Sequence, residues 1–147
     1  MTSDCPRRRG DYTYFHTIET RWNDNDVYGH MNNVVYYEMF DSVINRYLIG
    51  EGGLDIVNGS ALGIIPETRC RYRKPLHFPD VLDVGLRVTR LGRSSVVYDA
   101  AMFRQGDDDA AAECHFVHVF VDRADQGRTV PIPNSVRAAL ALILVGD

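Results

Sequence analysis

The chain has 147 residues, of which 45% are apolar and 24% charged, and its formal net charge is −4. That length suits about one domain, residues 1–147, and a core large enough to fold without a disulfide or metal staple. The acidic balance argues against a general nucleic-acid binder, which would carry a basic surplus.

The first residues carry a basic run, Arg7, Arg8 and Arg9, in a polar segment expected to be a solvated tail. They lack the apolar stretch of a secretion signal. Residues 12–22 hold Tyr, Thr, Phe, Ile and Trp and read as a strand. A polar stretch follows at 23–33. From 34 to 49 neither Pro nor Gly occurs. Val34, Tyr37, Asp41, Ile44 and Leu48 recur at three- and four-residue steps, as do Tyr36, Phe40, Val43 and Tyr47, so this is a helix mostly buried in a core. Asn32 or Asn33 can cap its start, and Gly50, Gly52 and Gly53 mark its end. After the Asn58-Gly59 turn the period changes. Residues 62–72, 81–91, 94–103 and 112–122 read as strands, with turns at 91–93 and 105–109. The acidic triplet Asp107, Asp108 and Asp109 is expected to be a solvated loop. Pro131 and Pro133 keep the chain extended before a last helix, 134–145, with Asn134 as its cap. The apolar run 138–145 is too short to span a bilayer. One strand, a long helix, four strands and a short helix imply an α+β fold. A five- or six-stranded antiparallel sheet is expected to curve round the long helix.

GxGxxG, GxxxxGK[ST], HExxH and GxSxG are all missing, so the usual nucleotide, zinc-protease and serine-hydrolase signatures do not apply. His115 and His118 lie three apart on a strand and point to opposite faces, so they cannot share a metal ion. Cys5, Cys70 and Cys114 are odd in number and form no CxxC, which fits free thiols in a reducing cytoplasm. Chemistry concentrates in Asp24-Asn25-Asp26-Val27-Tyr28-Gly29-His30-Met31-Asn32-Asn33, just ahead of the helix. A helix start offers unpaired N–H groups and partial positive charge to an anion or oxyanion. A carboxylate held beside it can act as base or nucleophile. The same residues also fit a plain capped turn.

The run from Arg21 to Asn33 closely resembles the signature D-x-D-x-x-G-H-x-N-N of the 4-hydroxybenzoyl-CoA thioesterase family of hotdog proteins. Arg73-Lys74-Pro75-Leu76 with Pro79-Asp80-Val81-Leu82, Leu91-Gly92-Arg93-Ser94-Ser95-Val96, and Phe120-Val121-Asp122 with Pro131-Ile132-Pro133 are similar to later segments of that family. The resemblance implies hydrolysis of an acyl-CoA thioester by a homodimer or homotetramer, and the free thiols and lack of a secretion signal lead to the expectation of a cytoplasmic protein. No cofactor or metal is expected, and the charge balance and short apolar runs lead to the expectation of no nucleic-acid and no membrane partner. Asp26 then maps to the catalytic carboxylate, as nucleophile or as general base. The backbone N–H near Asn33 polarises the carbonyl. Gly29, His30 and Asn32 contribute to the substrate site, with Asp24 and His30 orienting the loop. CoA would lie between subunits against Gly92, Arg93 and Ser94, with Arg73 and Lys74 as weaker phosphate contacts. Tyr28, Tyr36 and Tyr37 would help shape the acyl pocket. Glu38, on the helix, is the alternative acid. The competing readings are an acyl-CoA-binding sensor and a thioesterase acting on acyl-carrier protein.

Overall fold

The computed structural model describes residues 5–146. Strands β1 (Tyr14–Glu19), β2 (Ala61–Tyr72), β3 (Val81–Leu91), β4 (Ser95–Arg104) and β5 (Ala112–Asp122) accompany two α-helices, α1 (Asn33–Gly50) and α2 (Asn134–Leu142). The strands form one sheet in the order β1-β3-β4-β5-β2. Every pairing is antiparallel. This is the hotdog arrangement, a sheet wrapped on a single long helix.

Alternation along the strands explains the core. Leu82, Val84, Leu86 and Val88 of β3 share one face with Val96, Tyr98, Ala100 and Met102 of β4 and with Phe116 and Phe120 of β5. Onto that face α1 lays Tyr36, Met39, Phe40, Val43, Ile44, Tyr47 and Leu48, all buried. Each fully buried side chain of this size contributes about 1.5–3 kcal/mol relative to exposure. The Tyr47 hydroxyl donates to the Ala139 carbonyl at 2.5 Å and ties α2 to α1.

Four expectations are corrected. The basic run is no solvated tail. Arg7 pairs with Asp99 at 3.2 Å, Arg8 with Asp108 and Asp109, and Arg9 with Asp83 at 2.7 Å. Arg9 also lies over the rings of Phe15 and Phe103. The segment thereby covers a second apolar cluster on the outer face, Tyr12, Ala101, Phe103 and Ala110. The acidic triplet supplies the matching partners rather than a free loop. Asp107 pairs with Lys74 and Arg104 at 3.2 Å each, and the Lys74 hydrogen bond holds its carboxyl below the usual range. Finally, Asn134 is the first residue of α2; Pro133 occupies the cap position and no side chain caps it. The first strand is also shorter than expected, because residues 22–24 turn into a 3-10 segment.

At the outer edge of the sheet β2 pairs on one side only, with β5. Ile64 and Ile65 of β2 are exposed. A bulge falls between Ile64 and Glu67.

Candidate active site

Asp26 sits in the connection between β1 and α1, and backbone bonds fold that connection back on itself. The Asp26 N–H donates to the His30 carbonyl at 2.9 Å, and the Gly29 N–H to the Asp26 carbonyl at 3.1 Å. Gly29 has φ +80°, a conformation that L side chains rarely adopt, so glycine is needed there. Asn25 and Met31 bridge the two sides of the loop, and the Asn32 N–H donates to the Asp24 carbonyl at 2.9 Å. The loop thus brings Asp26, Gly29, His30, Asn32 and Asn33 into one place.

Buried groups fix the loop from below. The Asp24 side chain has no exposed surface, and its carboxylate accepts from Arg21 three times: from the backbone N–H at 2.7 Å, Nε at 3.1 Å and Nη2 at 2.8 Å. The Asn25 Oδ1 accepts the Phe78 N–H at 2.9 Å, and the Met31 N–H donates to the Leu76 carbonyl at 2.7 Å. Sequence reasoning did not single out Arg21 or Asn25. The three-residue spacing of Arg21 and Asp24 was the available signal; the Asn25–Phe78 bond spans too much chain to leave one.

Two features have chemical potential. Half-buried Asp26 receives the Tyr28 N–H on Oδ1 at 2.8 Å. A carboxylate oxygen keeps further lone pairs beyond that one bond. At the helix start, the Asn32 Oδ1 takes the Val34 N–H at 2.9 Å, and the Asn32 carbonyl takes the Val35 N–H. The Asn33 N–H has no acceptor among the described residues, as expected for an amide of the first helical turn. Carboxylate and open amide lie on the two arms of one short loop. Around them Trp22, Val27, Tyr28 and Val34 are exposed apolar groups.

Other candidates fall elsewhere. Glu38 faces a cleft of about 400 Å³ between β1 and α1, with His16, Arg21, Ser42 and Arg46. It lies 3.7 Å from Arg21. Tyr36 is only 4% exposed and packs edge-on against Tyr72, so it belongs to the core rather than to an open pocket wall. Tyr37 is tilted against Phe116, and Tyr28 is exposed. Arg73 and Lys74 are engaged within the chain, with Glu113 at 3.1 Å and Asp107 at 3.2 Å. His118 is buried against Tyr98, whereas His115 lies on the other face beside Glu67, so the two do not converge. Among the described residues no cluster of His, Cys, Asp and Glu could hold a metal ion.

The hairpin Gly92, Arg93 and Ser94 is well built but remote from this loop. The Gly92 N–H donates to the Ser95 carbonyl at 2.8 Å, and a Cβ at Gly92 would meet Ser95 Oγ at 2.9 Å. Arg137 donates to the Gly92 and Arg93 carbonyls and clamps the turn. β3 begins beside the loop, where the Thr20 N–H donates to the Asp80 carbonyl, and ends at the hairpin. Eleven residues of strand separate the two, about 36 Å at 3.3 Å per residue if straight. One chain therefore places its Asp26 and its Arg93 at opposite ends of the sheet.

The profile of the Thioesterase-like superfamily matches residues 20–140, and the chain belongs to that superfamily. The solved structure of the PA5185 protein from Pseudomonas aeruginosa strain PAO1 is 48% identical, with a TM-score of 0.92 over 95% of this chain and 96% of that one. Slr0204 of Synechocystis, a 1,4-dihydroxy-2-naphthoyl-CoA thioesterase, is 17% identical with a TM-score of 0.79, covering 87% of this chain and 95% of its own. The gentisyl-coenzyme A thioesterase BH1999 is 23% identical with a TM-score of 0.75, covering 86% and 99%. At those identities the last two establish the shared fold alone. The narrower resemblance to 4-hydroxybenzoyl-CoA thioesterases widens accordingly to thioesterase-like proteins at large.

Proposed function

We propose that the protein hydrolyses an acyl-CoA thioester to the free acid and CoA, with Asp26 as catalytic carboxylate. The observation that carries the reading is one short loop that carries half-buried Asp26 on its first arm and leads into the open Asn33 N–H at the start of α1. The carbonyl oxygen accepts from that amide, and negative charge growing on it is stabilised by the helix start. Asp26 takes a proton from the water that attacks the carbonyl carbon, or attacks it directly to form a mixed anhydride that water later splits to the free acid and Asp26. In both routes the thiolate of CoA is the leaving group. Loss of one such oxyanion donor typically costs about 2.7–4 kcal/mol of transition-state stabilisation. Gly29, His30 and Asn32 shape the loop around the thioester.

In this reading the working unit is a homodimer, alone or paired into a tetramer, in the cytoplasm. Of the two edge strands, β1 and β2, β2 carries the exposed Ile64 and Ile65 and is the edge another copy would cover. Antiparallel pairing about a two-fold axis reverses the partner's sheet. The partner's Gly92, Arg93 and Ser94 then approach the Asp26 end, where Arg93 can meet the CoA phosphates. The test is Asp26→Asn, which keeps shape and removes charge. Turnover of the best acyl-CoA ester should fall at least ~100-fold while KM changes little. Hydrolysis within a few-fold of the parent would overturn the assignment.

A further inference from the structure

Cys70 on β2 and Cys114 on β5 stand directly opposite each other in the sheet. Both are free thiols. Cys114 belongs to the core, and Cys70 packs against that same core, so the two side chains share the inner face. The ladder tells which kind of pair they form. The Phe120 N–H points to the β4 side, onto the Ser94 carbonyl at 2.7 Å. The Arg123 N–H points to the β2 side, onto the Ser60 carbonyl at 2.8 Å, and the Ala111 carbonyl accepts from Arg73 at 2.8 Å. Even-numbered residues of β5 therefore turn their backbone groups to β4, and odd-numbered ones to β2. Cys70 and Cys114 consequently form a non-hydrogen-bonded pair, in which opposed Cα atoms lie about 4.5 Å apart and side chains approach most closely. Disulfides need Cα atoms about 4.4–6.8 Å apart, a range that includes non-hydrogen-bonded pairs.

We propose that Cys70 and Cys114 are a redox-active dithiol that closes to an intrachain disulfide and fastens edge strand β2 to β5. Both S–H bonds break, one S–S bond forms, and two electrons and two protons pass to an oxidant such as a peroxide or a diazene. A thiol reductant reverses the step. Cys70, the less buried thiol, meets the oxidant first, and Cys114 then displaces the adduct. Tyr72 stands two residues along β2, on the same face as Cys70. The ring of Tyr72 packs 4.9 Å from Tyr36, in the first turns of α1. The link therefore reports on the wall beneath the helix start.

The test uses the full chain with Cys5→Ser, which leaves these two thiols alone. The folded protein is treated with diamide, a diazene, then unfolded for thiol counting, intact mass and peptide mapping. The expected result is loss of both thiols, a mass lower by two hydrogens, and a cross-linked peptide pair joining Cys70 to Cys114 within a monomer-sized chain. Dithiothreitol should restore both thiols. Cys70→Ser in the same background should form no intrachain link. Survival of both thiols, or bridges only between separate copies, would overturn the proposal. Circular dichroism before treatment confirms that each variant is folded.

Discussion

His118 offers a measurable link between burial and stability. It is 2% exposed, its Nδ1 lies 3.2 Å from the Tyr98 hydroxyl, and its ring packs against Phe120 and over Gly63. Burial pushes its pKa down to about 4. In the unfolded chain an ordinary histidine titrates near 6.5, so the gap is about 2.5 units, or about 3 kcal/mol at 1.36 kcal/mol per unit. The sign follows from proton binding. Above about pH 6.5 both states hold the ring neutral and nothing is lost. As pH falls from 6.5 towards 4, the unfolded chain binds a proton that the native core refuses, and stability declines. Below about pH 4 the native ring also charges and the loss levels off. Carboxylates titrate in the same range, so the informative quantity is a difference. Urea unfolding should be followed from about pH 8 to about pH 4 for the parent and for His118→Leu combined with Tyr98→Phe, which avoids a stranded hydroxyl. The parent's advantage or deficit relative to the variant should shift by about 3 kcal/mol against the parent over that span. Parallel curves would refute a buried neutral His118.

Asp24→Asn should lower stability by about 1–3 kcal/mol, since a buried charged acceptor of three Arg21 bonds is lost. Its turnover should nonetheless stay far nearer the parent's than that of Asp26→Asn; urea midpoints measured beside initial rates check both parts. Asn32→Ala removes the side chain that caps α1 and should cost about 1 kcal/mol in thermal or urea unfolding.

Much of the fold was legible because the apolar periods are long and clean. The buried stripe from Tyr36 to Leu48 marks α1, and β3 and β5 begin and end where their alternation does. The site loop was legible in the same way, since the acids, Gly29 and the capping Asn residues are neighbours in sequence. What escaped reading depends on partners far along the chain. Arg9 meets Asp83, and Arg7 meets Asp99, across separations with no local pattern. Arg73 and Lys74 look like phosphate ligands until Glu113 and Asp107 are placed beside them. Residue order says nothing of which strands adjoin, so the Cys70–Cys114 opposition needed the register. A cap at Asn134 failed for a nearer reason: Pro133 already sets the chain into the helix one residue earlier.

The separation of Asp26 from Arg93 gives the proposed dimer its sharpest test. If a complete site takes Asp26 from one subunit and Arg93 from the other, each defect lies in a different half of the site. Arg93→Ala alone should raise KM for the CoA ester while sparing a short thioester that lacks the nucleotide. In a mixed dimer of one Asp26→Asn chain and one Arg93→Ala chain, one site then carries both defects and the other carries neither. Random mixing puts half the chains into such dimers, so activity at low CoA-ester concentration should recover to roughly a quarter of the parent's, well above either variant alone. If both residues served a site within one chain, every site in the mixture would hold one defect, and mixing would restore nothing. Co-expression with two affinity tags isolates the mixed dimer directly. Recovery in that fraction places the hairpin and the loop in one site across the two-fold. A mixed dimer no more active than the average of its parents would refute the shared site, even with Asp26 confirmed as the carboxylate.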